Sequence, residues 1–171
     1  MGLSRVEGSS PVLDLESVTV VLGREKVVNS ISLSVESGEW LSIIGPNGSG
    51  KSSLLRAVAG LVSSTGNIVF DGMDLSQISP KQRAQIISMV PQVPVVPPRV
   101  KVLDYILLGR TPYLGRGFQP TREDLTYVLS VVENLDLGNV VERYVAEMSG
   151  GERQRVIIAR ALVQQPKILL L

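Results

Sequence analysis

Apolar positions in the first part of the chain gather in short runs bounded by Gly, Asn or Asp. Val12 to Leu22, Ile31 to Val35, Trp40 to Ile44 and Asn67 to Phe70 are rich in β-branched and aliphatic residues, and each predicts a strand. Between Gly50 and Ala59 the pattern changes. Lys51, Leu54, Leu55, Arg56, Ala57 and Val58 follow one another without a breaker and stop at Gly60, which predicts a helix closed by a glycine cap. A buried strand, a glycine-rich turn and a helix are therefore expected in that order from Trp40 to Ala59.

Ser79 precedes Pro80, with Gln82 three residues after the serine, so a short helix is expected from about Pro80 to Gln85, followed by a buried strand from Ile86 to Val90. Pro91, Pro94, Pro97 and Pro98 then exclude both helix and central strand and force an extended loop. Beyond it the period becomes helical. Thr121 and Asp124 form a capping box, and Leu125, Val128, Leu129, Val132 and Leu135 recur at helical spacing. A last helix is expected from Glu152 to about Gln164, and Pro166 hands over to the apolar strand Ile168 to Leu171. The expected organisation is one domain: a flexible tail over 1–10, a core over 11–92, a helical subdomain over 93–148, and a final helix and strand over 149–171.

Composition narrows the class. The 171 residues are 44% hydrophobic, enough for one substantial core, and carry 17 basic against 16 acidic side chains, which gives no basic face arguing for nucleic acid. The absence of Cys excludes disulfides and thiolate metal sites, as suits a reducing compartment, and the chain also lacks His. Met1 to Ser10 carries Arg5 and Glu7 and has no apolar stretch of the kind a secretory signal needs, so export by that route is not expected. No apolar run approaches the length of a membrane-spanning helix.

The candidate chemistry lies first in Gly45-Pro46-Asn47-Gly48-Ser49-Gly50-Lys51-Ser52, continued by Ser53. Glycines at Gly45, Gly48 and Gly50 let backbone N–H groups wrap around phosphate oxygens, and the following helix points its N-terminal dipole at them. Lys51 supplies a cation towards the β and γ phosphates, and the Ser52 hydroxyl is suited to magnesium. This is a P-loop, and ATP is the expected ligand. Met148-Ser149-Gly150-Gly151-Glu152, well downstream, opens a helix. Ser149 and Glu152 have the spacing of a capping box, and local turn chemistry by itself accounts for them; a helix start with a hydroxyl and bare glycine backbone is equally a second anion-binding surface.

The P-loop, the Pro91-Gln92 step and Ser-Gly-Gly-Glu followed by Arg153-Gln154-Arg155 together resemble, in order and spacing, the ATP-binding-cassette (ABC) family of ATPases, from about Val12 to Leu171. The resemblance implies an α/β P-loop NTPase (RecA-like) core with an N-terminal antiparallel β region and a helical subdomain, incomplete at the C-terminus. It implies that Ser149, Gly150, Gly151 and Glu152 are the signature that faces ATP on the P-loop of a second subunit, and that Gln92 ligates magnesium and couples the nucleotide to membrane subunits. In the family an aromatic residue at the end of the first strand stacks on adenine; Leu22 occupies that place, which leaves the preference for adenine over guanine open. The resemblance also implies transmembrane permease subunits, a second ATP-binding subunit, an indirectly served substrate-binding protein, and a peripheral location on the cytoplasmic face of the membrane.

Leu107-Leu108-Gly109-Arg110-Thr111-Pro112-Tyr113-Leu114-Gly115 looks like the helical subdomain of importers for iron-siderophore complexes, haem or cobalamin, although the same residues suit a simple helix end and loop. Arg153, Arg155 and Arg160 are expected to be solvated or paired, with Val156, Ile157, Ala159 and Leu162 forming the buried face of their helix. The family continues past Ile168-Leu169-Leu170-Leu171 with a magnesium-binding Asp and a catalytic Glu, then a switch His, none of which this sequence contains. The expectation is a C-terminally truncated ATPase domain that binds ATP without hydrolysing it efficiently. Two rivals remain: another P-loop class, such as a small-molecule kinase or GTPase, and a non-transport ABC protein of the ribosome-associated or DNA-repair type.

Overall fold

The glycine and aspartate turns early in the chain set its antiparallel architecture. Gly23, at φ +64°, and Arg24 turn β1 (Leu13–Leu22) back into β2 (Glu25–Val35), with Leu22 opposite Glu25 at the hairpin end and Leu13 opposite Val35 at the other. The computed structural model describes residues 12–115 and 119–171, so the expected tail over 1–10 lies outside the described residues. β3 (Thr65–Phe70) pairs antiparallel with the other edge of β1, and β4 (Met73–Asp74) closes the sheet in the order β2-β1-β3-β4. Alternation along β1 buries Leu13, Leu15, Val18 and Val20, with an irregularity in register between Leu15 and Val18 that keeps the apolar set on one face.

α1 (Lys51–Val58) lays Leu54, Ala57 and Val58 inward and ends as the sequence predicts: Gly60, at φ +74°, follows Ala59, and the amides of Gly60 and Leu61 turn back to Ala57 and Arg56. The expected strand Trp40 to Ile44 does not form. No ladder reaches it from the described strands, and Trp40 and Ile44 are 88% and 91% exposed. An apolar run of this kind is stable as a central strand only with partners on its edges and layers on its faces, and the described residues supply neither.

The chain divides into two compact units, Met1–Pro80 and Lys81–Leu171. In the second, α2 (Pro80–Ile86) runs directly into β5 (Ile87–Met89), which pairs in parallel with β6 (Ile168–Leu170). The proline-rich stretch between them and the next helix is irregular, as expected. α3 (Val102–Leu107), α4 (Arg122–Asn134) and α5 (Gly150–Leu162) pack around Val102, Tyr105, Ile106, Val128, Val132, Val145 and Val156. α4 starts at the predicted Thr121–Asp124 capping box. Its inward face is rotated from the expected one: Asp124, Val128, Val131 and Val132 are buried, while Leu125 and Leu129 face solvent. Among the described residues no helix is long and apolar enough to cross a membrane.

Candidate functional site

The P-loop residues belong to the first unit. Gly48 and Gly50 stand at φ +81° and +87°, and a Cβ on Gly50 would overlap the Val27 carbonyl of β2, so only glycine lets α1 begin this close to the hairpin. A Cβ on Gly45 would stand 2.8 Å from Ser49 Oγ. The Ser49 amide turns back to the Pro46 carbonyl at 3.3 Å, and Asn47 is exposed at the tip. Lys51 Nζ donates to the carbonyls of Gly45 at 2.8 Å and Pro46 at 2.7 Å and reaches Ser49 Oγ at 3.4 Å, so its positive charge is held directly over the loop.

The start of α1 differs from those of α4 and α5. Those two helices carry capping boxes and acidic residues in their first turns; α1 has neither a side-chain cap nor an acid there. Its first-turn N–H groups, the Lys51 ammonium and the exposed Ser52 hydroxyl therefore suit an anion. Ser53, half-buried, continues the turn. Among the described residues no group of three or more His, Cys, Asp or Glu is placed to hold a metal. Magnesium bound here would take hydroxyl, amide and phosphate oxygens, a ligand set that suits a hard cation. Leu22 is half-exposed at the hairpin end, and Val20 pairs with Val28, against which Gly50 packs; Leu22 thus lies a few strand residues from the loop. It offers an apolar contact to a base where an aromatic ring would stack.

Gln92 and the Ser149 to Glu152 segment belong to the second unit. The Val90 amide donates to Leu170 at 2.8 Å, prolonging the β5–β6 ladder, and the chain leaves the sheet at Pro91. Gln92 follows, exposed, at the carboxyl end of a parallel strand pair, the edge where open α/β sheets gather their ligands. Ser149 caps α5 as its sequence predicts: Ser149 Oγ accepts from the Glu152 amide at 3.3 Å, and the Ser149 amide donates to Glu152 Oε2 at 2.9 Å. Hydrogen bonding to the Glu152 carboxylate, first from the Ser149 side chain and then from the Ser149 amide, helped by Arg143 at 3.7 Å, holds it below its ordinary range. Gly150 and Gly151 have no internal reason to be glycine. Neither has a positive φ, and a Cβ on either would meet nothing within 4 Å.

The family model for ABC transporters matches residues 28–171. The chain belongs to the ABC transporter family. Its curated relatives include the sulfate/thiosulfate import ATP-binding protein CysA of Salmonella typhi, 38% identical over 161 residues, which cover 93% of this chain and 43% of that protein. An uncharacterised ABC transporter ATP-binding protein of Methanocaldococcus jannaschii is 35% identical over 161 residues, or 94% of this chain and 56% of that one. The chain thus spans about half the length, or less, of such relatives. Among solved structures, a nucleotide-free ATP-binding cassette from an ABC transporter superposes with a TM-score of 0.81 at 27% identity, covering 94% of this chain and 68% of that one. A protein described as a metal-chelate type ABC transporter, in an inward-facing conformation, superposes with a TM-score of 0.78 at 26% identity, covering 94% and 59%. The architecture is accordingly the α/β fold of ABC ATP-binding domains, with an antiparallel β region and a helical part.

Several residues of this ABC domain gained their roles only from the structure. Gly109 packs so closely on the Arg160 carbonyl that a Cβ would overlap it, and Arg110 is buried, with Nε donating to Asp124 Oδ1 at 2.7 Å and its guanidinium over the Tyr113 ring at 4.1 Å. The Leu107 to Gly115 stretch is therefore, in its own fold, a helix end and anchor. Of the three arginines on α5, Arg160 stacks on Tyr105 at 4.8 Å, Arg153 donates to the Ala146 and Met148 carbonyls, and Arg155 is exposed. Val156, Ile157 and Ala159 are buried as expected, and Leu162 is half-buried.

Proposed function

We propose that the chain is the ATP-binding part of an ABC importer, with Gly45 to Ser53 cradling the triphosphate, Leu22 contacting the base, and Ser52 and Gln92 contributing to magnesium. The observation that carries this reading is the start of α1, where N–H groups without a side-chain cap and the Lys51 ammonium converge with no acid in the first turn. Ser149, Gly150, Gly151 and Glu152 serve as the surface offered to ATP held by a second copy. The two glycines support this, since their bare backbone answers to nothing inside the described fold.

In the intact protein, ATP closes such a dimer and hydrolysis releases it, driving permease subunits from the cytoplasmic face of the membrane. These 171 residues bind ATP but turn it over poorly by themselves, because they contain no His to sense the γ-phosphate. The cargo we propose is an iron-siderophore, haem or cobalamin type chelate. The similarity to a protein described as metal-chelate type supports that class, while relatives named for sulfate and thiosulfate import support an oxyanion as the second reading.

Binding of a fluorescent ATP analogue tests the first claim: Lys51→Ala should abolish it, and unchanged affinity would refute the assignment. Co-purification from membranes with a multi-helix permease, followed by uptake assays with labelled chelate and labelled sulfate, tests the second. Recovery with ribosomes, or phosphate transfer to a small acceptor, would favour one of the rivals.

A further inference from the structure

A cluster of largely half-buried hydrogen bonds in the second unit plays no part in the proposed nucleotide contacts. It centres on the turn from Val163 to Lys167, which leads α5 into β6. Gln164 Nε2 donates to the carbonyls of Ala84 and Ile87, the latter at 2.8 Å, and Gln164 Oε1 accepts from the buried Ser88 hydroxyl at 3.2 Å. Both amide protons and the amide oxygen are thus committed to the junction of α2 and β5. The turn is gripped from elsewhere as well. The Tyr113 hydroxyl donates to the Gln164 carbonyl at 2.9 Å, and Arg110 donates to the Val163 carbonyl at 2.8 Å and to Gln165 Oε1 at 2.9 Å.

The ladder beside this turn is short: Ile87, Ser88 and Met89 stand opposite Ile168, Leu169 and Leu170, closed by Lys167 N to Ile86 O and Val90 N to Leu170 O, both at 2.8 Å. So few rungs specify register weakly. A slip of one residue would turn every side chain to the other face and move the strand end by about 3.3 Å. Gln164 contacts the Ile87 carbonyl and the Ser88 hydroxyl together, on successive residues of β5, and that pair of contacts fits one register only.

We infer that Gln164 is a positioning residue, which fixes β5 on β6 and so determines where Gln92 stands beyond the carboxyl end of β5. This rests on the reading that Gln92 contributes to binding of magnesium nucleotide. The test compares the full chain with Gln92→Ala, Gln164→Leu and Ser88→Ala, measuring affinity for a fluorescent ATP analogue with magnesium and with EDTA, and hydrogen exchange at the Val90 and Lys167 amides. Gln92→Ala should lose the gain that magnesium gives while keeping both amides protected. Gln164→Leu, similar in size, should lose about fivefold of that gain, keep its affinity in EDTA, and exchange faster at both amides. Ser88→Ala should lose a smaller part.

If Gln164→Leu keeps the full gain while Gln92→Ala loses it, the positioning role is overturned and the Gln92 reading stands. If Gln92→Ala keeps the gain, the Gln92 reading falls and the inference with it. Should Gln164→Leu fail to fold, a Ser88→Ala protein with undiminished gain overturns the inference.

Discussion

Asp124 performs two tasks with one carboxylate. Its Oδ2 accepts from the Thr121 amide and hydroxyl at 2.9 and 2.8 Å, which starts α4, and its Oδ1 accepts from Arg110 at 2.7 Å. Burial by itself pushes this carboxyl up, but the Thr121 bonds and the Arg110 charge outweigh it and hold Asp124 below its ordinary range. The sign follows from linkage. A depressed carboxyl contributes stability that is fully present above the unfolded value, about pH 4, and is lost as pH falls through the lower folded value. Asp124→Ala should therefore destabilise the chain by roughly 3 to 5 kcal/mol at neutral pH, because it strands a buried guanidinium. In urea titrations from pH 7 downward, the gap to wild type should narrow only below about pH 4; a gap independent of pH would show that the ionised pair contributes nothing. Gly109→Ala should cost about 1 to 3 kcal/mol by forcing the Arg160 carbonyl away, whereas Gly115→Ala, with nothing within 4 Å of its Cβ, should be close to neutral. The cap at Thr121 and Asp124 was legible in the sequence because it is local. Arg110 was not, because Asp124, Val163 and Gln165 meet it only once the chain folds.

At the scale of the element, α5 separates local from external demands. Its capping box was readable from Ser149 and Glu152 alone, and the structure contains both bonds. Gly150 and Gly151 were readable only as permissive, yet in the fold they permit nothing, having helical backbone and open space at Cβ. Gly151→Ala should accordingly raise thermal stability, by up to about 1 kcal/mol, because alanine is the better helix former. The same substitution should weaken ATP-dependent self-association of the intact protein, measured by sedimentation, if the bare backbone serves a second copy. A variant that is destabilised, or that associates normally, would break that argument. Ser149→Ala should cost about 1 kcal/mol through the lost cap. The inward face of α4 was misplaced for a related reason. Hydrophobic spacing favoured Leu125 and Leu129, but the buried Arg110–Asp124 pair turns the helix so that Asp124 faces inward and those leucines face water.

For the whole molecule, the strands read correctly are those that find a partner in the described fold, whether near or far along the chain. β2 follows β1 through a tight turn, β3 reaches β1 and β6 reaches β5 from far along the chain, whereas Trp40 to Ile44 reads as strongly as any of them and forms no ladder with the described strands. Period and composition show that a segment would suit a sheet; they do not supply the neighbour. The consequence is a run, Trp40-Leu41-Ser42-Ile43-Ile44, with neither a charge nor a proline and with no ladder to any described strand, which is the profile of a self-associating segment. Trp40 is the only tryptophan, so it reports on this run alone. Its emission should be that of a water-exposed indole and should be quenched freely by acrylamide in dilute solution. As concentration rises, emission should shift to the blue and light scattering should grow together. Trp40→Lys, which places a charge where the native side chain buries almost nothing, should suppress the scattering while leaving the cooperative unfolding of both units, followed by circular dichroism, unchanged. Scattering equal to wild type would locate the adhesive surface elsewhere, and a blue emission at high dilution would mean that the run is already covered within a single chain.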